Sequence, residues 1–566
     1  MNNLTEIRQK MQKSNLDAYI VTHGNQFIGQ DILPSENKLL SLCGFSGSAG
    51  MLCITKEKAY LWVDGRYELQ ARQETDNNLI NIIDDTPRFK NVCELLKAEE
   101  MQHIGYDAWN HSVAEMEFIK RKYPEMEFND VGNLTSEPIC HKIQILPRDI
   151  KFCGASFAEK FIDLQNLINE READYFLLTS ADSVSWLLNI YARDLPYSPI
   201  VRAYALISKN GDVKLFGDNL QTEIPHDTLT QLTDFLAKNQ TAKILCDAHT
   251  TPEKIKLSNT DKYLLIKAAD ICQFKKAQKN QTELQGMINC HIRDGVALVK
   301  FLSWLENNYQ GLSEYDITEK LHQFREKQEH FFSESFATIA GFGANGAIVH
   351  YQPHKNTAAF LQDNNLLLLD SGAQYYDGTT DVTRTIALGI PTEEAITDFT
   401  YVLKAHISLA RAIFPVGTPG IKLDILARSQ VWQNSADYKH GTGHGVACFG
   451  NVHEGPISIS SGSSDYGFLP NMITSNEPGI YRANNYGIRI ENLQYTQLTQ
   501  KNTYGDFLNF IPLTKVPIDK HLINVYLLNN GERAWLNDYH QNVYNCLAPY
   551  LNEIENIWLK KACSPL

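Results

Sequence analysis

Residues 366–385 read LLLLDSGAQYYDGTTDVTRT. Four consecutive leucines form a short continuous apolar run, the pattern of a strand with both faces buried. The run ends at Asp370. Asp381 lies eleven residues further on and precedes a second strand-like run, Val382 to Leu388. Asp377-Gly378 between them is a turn signal. The spacing predicts two adjacent antiparallel strands whose two carboxylates face one point.

More acids and histidines follow. HGTGHG (440–445) carries His440 and His444, and HEGP (453–456) carries His453 and Glu454. NEPGIY (476–481) carries Glu477, and GIRIEN (487–492) carries Glu491. Taken singly, each acid reads as well as a solvated or capping group. As a set, two Asp, one His and two Glu are the hard, oxygen-rich donors suited to a pair of divalent ions. Four carboxylates around one cavity repel each other, and two cations remove that penalty. Asp370, Glu477 and Glu491 each adjoin apolar or β-branched stretches, where an unpaired carboxylate is costly. Spacing leaves the reaction open. There is no HExxH, and no GxSxG is placed between a strand and a helix. Cys448 lies near His444 and His453, but its Ala-Cys-Phe setting reads as a buried small hydrophobe rather than a nucleophile.

The chain has 566 residues, too many for one core and enough for several domains. Its formal charge of -14, with no long basic run, argues against nucleic-acid binding. The 11 cysteines include no CxxC pair, which argues against a zinc ribbon and fits reduced thiols. No window of 18 apolar residues suggests a membrane span. The opening MNNLTEIRQKMQKSN reads as a helix with Leu4, Ile7 and Met11 on one stripe, with no export segment, so a cytoplasmic location is expected. Two α/β units are expected, 1–149 and 150–275, followed by a larger α/β region, 276–566. That region opens with a long helix from about Glu283. Ala534 to about Ala562 reads as two short helices whose aromatics, Trp535, Tyr539, Tyr544 and Trp558, serve packing. Gly44, Gly47 and Gly50 read as a tight turn between strands rather than a phosphate loop. No repeat is visible between the first two units.

The third region resembles the pita-bread metallopeptidases, the family containing aminopeptidase P, prolidase and methionine aminopeptidase. The whole chain resembles most the long, three-domain aminopeptidase P form. Supporting segments are GFSGSAG (44–50), LWVDGRY (61–67), SVSWLLNIYARDLPYSP (183–199), HIRDG (291–295) and NGAIVHYQP (345–353). DSGAQYYDGTTDVTRT (370–385), HGTGHGV (440–446), VHEGP (452–456), NEPGIY, GIRIEN, PLTKVPID (512–519) and WLNDYH (535–540) add to them. The pattern departs near Gln30 and Asp31, at 130–138, and at Ala447, where a glycine is usual.

The resemblance implies two related creatinase-like α/β domains and then a pita-bread catalytic domain. It implies two divalent ions, manganese preferred with zinc or cobalt compatible, bound by Asp370, Asp381, His444, Glu477 and Glu491. Asp381 and Glu491 match bridging ligands, Asp370 a ligand of one ion, and His444 and Glu477 ligands of the other. Glu477 also matches the proton carrier for attack by a metal-bridging water or hydroxide. His350 and His453 match histidines that contact substrate or intermediate, and His440 one in the substrate cleft. Arg489 matches an arginine that either contacts substrate or forms a salt bridge within the site. The implied substrates are short peptides with a free N-terminus and penultimate proline, and the implied assembly is a homodimer. A prolidase-like dipeptidase and a metal-free binding protein are the alternatives.

Overall fold

The computed structural model describes residues 2–29, 32–135, 142–238, 241–258 and 265–566. The departures at Gln30, Asp31 and residues 136–138 lie outside these. The chain divides into two compact units. One comprises 1–150, 155–195 and 199–272, and the other 151–154, 196–198 and 273–566.

In the first unit the opening helix, Asn2–Lys13, buries Leu4, Ile7 and Met11, the predicted stripe. A six-stranded sheet follows in the order Asn81–Asp84, Ala59–Val63, Met51–Thr55, Ala18–Thr22, His103–Tyr106, Glu127–Asp130. Its three inner neighbours from Ala59–Val63 to Ala18–Thr22 run antiparallel, and the outer pairings are parallel. A second six-stranded sheet has the order His226–Asp227, Val213–Phe216, Tyr204–Ser208, Tyr175–Leu178, Ile244–Cys246, Leu265–Lys267. Position for position, its senses are the same. The two sheets therefore share one topology, a relationship that the sequence does not display. Alternation explains their burial on both faces. Tyr19 and Val21 join one apolar cluster while Ala18 and Ile20 join another. Phe176 and Leu178 likewise part from Leu177. The glycine-rich turn at 44–50 is corrected in one respect. It links a helix, Lys38–Cys43, to the Met51–Thr55 strand, with Gly44 in the left-handed region (φ 83°) as the helix cap.

The long helix of the second unit is Gln281–Leu305. Asn280 caps it, and the Glu283 side chain returns a bond to the Asn280 backbone. Asn365–Ser371 pairs antiparallel with Val382–Leu388, as predicted, and with Ile339–Phe342 on its other edge. Leu366 packs into one apolar cluster, and Leu367 and Leu369 into another. Burying each leucine contributes about 1.5–3 kcal/mol, so the sheet is fixed from both sides. A six-stranded sheet runs Ile413–Pro415, Gly505–Pro512, Asn492–Asn502, Ile473–Asn476, Gly443–Gly445, Glu454–Ile459. The stretch from Ile488 to Glu491 has the alternation of one continuous strand, but the strand is interrupted. Tyr486–Arg489 pairs with Gly479–Arg482, and the chain then crosses through Ile490 and Glu491 into the larger sheet. The Glu491 amide donates instead to the Thr383 carbonyl (3.1 Å). The last two helices are Asn530–Leu547 and Glu553–Ala562, each opened by an asparagine capping box. Among the described residues no helix is long and apolar enough to cross a membrane.

Candidate metal centre

The acids sit where strands end. Asp370, near the end of Asn365–Ser371, pairs with Thr383, and Asp381 immediately precedes Val382–Leu388. Glu477 follows Ile473–Asn476, and its amide donates to the Thr442 carbonyl (2.8 Å). His444 lies on Gly443–Gly445, between Glu454–Ile459 and Ile473–Asn476. The glycines of HGTGHG are explained by this crowding. A Cβ on Gly443 would stand 2.1 Å from the Ser475 carbonyl oxygen, and one on Gly445 2.2 Å from that of Glu454.

Ligand atoms of Asp381, His444 and Glu491 all lie within 4.8 Å of one another. His444 Nε2 is 3.4 Å from both Asp381 Oδ2 and Glu477 Oε1. His444 Nδ1 meets the Gly445 carbonyl at 3.0 Å, which fixes the proton there and leaves the Nε2 lone pair facing the acids. Asp370 Oδ2 accepts from Arg489 Nη2 (2.6 Å), whereas its buried Oδ1 has no hydrogen-bond partner. Burial, with the charges of Asp370 and Glu477, pushes the Asp381 carboxyl well above the usual carboxylate range. Burial and the neighbouring acids do the same to Glu491. Burial also raises Glu477, against the opposing pull of His444 and Arg489. A buried set of four carboxylates, one imidazole and an unpartnered Oδ1 has a single guanidinium, that of Arg489, to offset its charge. These donors fit divalent cations.

The remaining candidates surround this set. His453 is exposed, and its ring lies edge-on to that of His444 with centroids 4.3 Å apart. His440 Nδ1 meets the Gly441 carbonyl (2.7 Å), so its Nε2 accepts from the Tyr481 hydroxyl (2.8 Å). That hydroxyl accepts in turn from Arg489 Nη1 (2.7 Å). Arg489 Nε donates to Thr383 Oγ1 (3.1 Å), and Nη2 reaches the Val349 carbonyl (3.4 Å). The half-buried His350 follows Val349 directly.

Sequence reasoning missed three supports. Thr383 Oγ1 donates to Glu491 Oε2 (2.8 Å), Ser475 Oγ meets Glu477 Oε1 (3.2 Å), and Tyr481 joins His440 to Arg489. The first was within reach, because Thr383 stands inside the quoted DVTRT. Glu454 belongs elsewhere, in a buried ion pair with Lys276 (3.2 Å) and Lys279. Cys448 is buried, with Sγ 3.3 Å from the Asp377 carbonyl oxygen.

Residues 4–137 and 136–283 each match the creatinase/prolidase N-terminal domain. Residues 285–497 match metallopeptidase family M24, and 506–566 the C-terminal region of that peptidase. The "Probable Xaa-Pro aminopeptidase P" of Laccaria bicolor is 34% identical over 603 residues, covering 100% of this chain and 93% of its own. Aminopeptidase P2 of Arabidopsis thaliana is 35% identical, covering 97% of this chain and 86% of its own. The structure is similar to X-prolyl aminopeptidase of Caenorhabditis elegans, described as a cytosolic enzyme with a di-nuclear active site. The TM-score is 0.94 at 30% identity, over 100% of this chain and 99% of that one. Domain order, the acid-lined site and these full-length likenesses agree: the chain belongs to metallopeptidase family M24, within the Xaa-Pro aminopeptidase P group.

Proposed function

We propose that this protein is a dinuclear metal-dependent aminopeptidase that releases the N-terminal residue from short peptides with proline second. The observation that carries this reading is the meeting of Asp381, His444 and Glu491 within 4.8 Å, with Glu477 beside them. Asp381 and Glu491 are assigned to both ions, Asp370 to one, and His444 and Glu477 to the other. Manganese is the metal that the family resemblance favours; the oxygen-rich donors suit it and are equally compatible with zinc or cobalt. When bound, the two ions supply Lewis-acid activation of a water molecule and of the scissile carbonyl.

The chain's own residues do the rest. Glu477, its carboxyl raised by burial, takes a proton from the attacking water and delivers it to the leaving nitrogen. An X-Pro bond is a tertiary amide, so this proton becomes the N–H that the proline nitrogen lacks in the peptide. His453, exposed beside His444, and His350 hydrogen-bond the substrate. His440 borders the cleft and is oriented by Tyr481. Arg489 is assigned to holding Asp370 in place, because Nε and both Nη atoms already have partners. The proposed domains are 1–149, 150–275 and 276–566. A cytoplasmic location is supported by the cytosolic C. elegans relative, and a homodimer by the family resemblance.

The test compares kcat/KM for an X-Pro-Y tripeptide, its X-Ala-Y analogue and its N-acetylated form at fixed Mn2+. Free X and Pro-Y should form from the parent. Both changes should lower kcat/KM at least about tenfold, or roughly 1.4 kcal/mol of transition-state binding. Equal values for all three would refute the assignment. Cleavage confined to X-Pro dipeptides would replace it with a dipeptidase.

A further inference from the structure

Arg384 lies three residues after Asp381 and is 4% exposed. Its guanidinium makes a dense set of bonds. Nε donates to the Pro517 carbonyl (3.0 Å), and Nη1 to the carbonyls of Thr383 (2.8 Å) and Glu491 (2.6 Å). Nη2 donates to Asn492 Oδ1 (2.8 Å), the Val516 carbonyl (2.7 Å) and the Tyr539 hydroxyl (3.0 Å). None of these acceptors is a carboxylate. Arginine stays protonated in proteins, so this is a buried cation bonded only to neutral oxygens, an expensive arrangement for packing alone.

What the arrangement achieves lies in the backbone of Glu491. Ile490 and Glu491 form the crossing between two sheets, so no ladder holds them. The Glu491 amide goes to the Thr383 carbonyl, its Oε2 to the Thr383 hydroxyl, and its own carbonyl to Arg384. The same Nη1 also binds the Thr383 carbonyl, so one nitrogen spans the Glu491 crossing and the strand that follows Asp381. Tyr539, on the Asn530–Leu547 helix, accepts from Nη2, and its hydroxyl lies 2.8 Å from the Val516 carbonyl oxygen. Asn492 is held from a third direction by His406, whose Nε2 lies 3.2 Å from the Asn492 amide nitrogen.

We propose that Arg384 is a positioning residue for the metal centre: its fork clamps the Glu491 crossing to the Asp381 strand, and Tyr539 anchors the fork from the C-terminal helix. The C-terminal region thus tunes metal affinity while supplying no ligand. The inference rests on the assignment of Asp381 and Glu491 as metal ligands.

The test uses the full chain, stripped by chelation and titrated with Co2+, followed by calorimetry and by the visible absorption of the bound ion. Tyr539→Phe removes a single hydroxyl. Arg384→Met removes the fork, and Glu491→Ala serves as reference. Loss of outer-shell support weakens metal binding about 10–100-fold, and that is the loss expected for Arg384→Met. Tyr539→Phe should show a smaller loss in the same direction. Both should shift the Co2+ absorption and, at saturating Co2+, lower kcat with KM little changed. Variants that melt earlier yet keep wild-type Co2+ affinity and spectrum would overturn the proposal. Should Arg384→Met not fold, Tyr539→Phe decides alone by the same criterion. If Glu491→Ala also titrates like wild type, the ligand assignment fails and the proposal falls with it.

Discussion

Replacing Arg489 by methionine removes a buried cation while keeping a side chain of similar length. Arg489 is 1% exposed and donates to Asp370, Tyr481, Thr383 and the Val349 carbonyl. Breaking a buried pair from one side costs about 3–5 kcal/mol, largely because the remaining charge is left uncompensated. That charge belongs to Asp370, which shares its pocket with other acids. In metal-free protein nothing replaces the guanidinium. In loaded protein, cations assigned to Asp370 take over much of its neutralisation. Taking about 2 °C per kcal/mol, the low end suited to a large domain, stripped Arg489→Met should melt about 6–10 °C below stripped wild type. With saturating Mn2+ the gap should shrink to less than half. Thermal melts of both proteins in both states provide the assay. A gap equal in the two states, or below about 2 °C in the stripped pair, would refute the reasoning.

Asp381→Ala and Glu491→Ala should each abolish most turnover and cut metal content per chain, as measured by atomic emission after gel filtration. Near-normal activity at limiting metal would count against them as shared ligands. Cys448→Ala should retain activity, because the thiol is buried against backbone carbonyls; a folded, metal-loaded but inactive variant would contradict this. The raised carboxyls of Asp381, Glu477 and Glu491 set a pH dependence. A carboxyl whose pKa is higher folded than unfolded binds more protons when folded. Stripped protein should therefore lose stability as pH rises from about 4 towards neutrality. Bound cations oppose this, so the melting-temperature gain on adding Mn2+ should grow with pH over that range. A gain independent of pH would argue against burial of ionised acids at the site.

The acid-rich set behind the proposed ligands was legible from residue type and local order, whereas the choice of His444 among three nearby histidines came from the family resemblance. Asp370 and Asp381 flank a turn between two apolar runs, and register turns that order into proximity. The Glu491 crossing was not legible. Ile488 and Ile490 keep a strand's alternation, and nothing local marks where one sheet hands the chain to another. Tyr481 and Arg384 escaped notice for a related reason. A side chain that serves by bonding groups remote in the chain leaves no spacing signature: Tyr481 reaches residues 8 and 41 positions away, and every Arg384 partner except the adjacent Thr383 lies 107 to 155 positions away. Tyr539 was read as packing, and it does stack on Trp535 (5.4 Å), but its hydroxyl has a second task invisible in an aromatic stripe. The shared topology of the two leading sheets escaped for another reason: strand order is set by which apolar faces meet, and many sequences satisfy one order.

The narrow berth of the His444 strand has a consequence for tolerance to change. Two neighbouring backbones come so close that position 443 or 445 has no room for even a methyl group. An alanine at either would wedge the sheet open and carry the imidazole away from its acids, though neither glycine bears a functional atom. In a saturation-mutagenesis screen scored by peptide cleavage, these two positions should be as intolerant as His444 itself. A side chain added at either cannot be accommodated by a rotamer change elsewhere, because the obstacles are carbonyl oxygens of the main chain. The vulnerability of this site to random mutation thus extends to residues with no chemistry of their own.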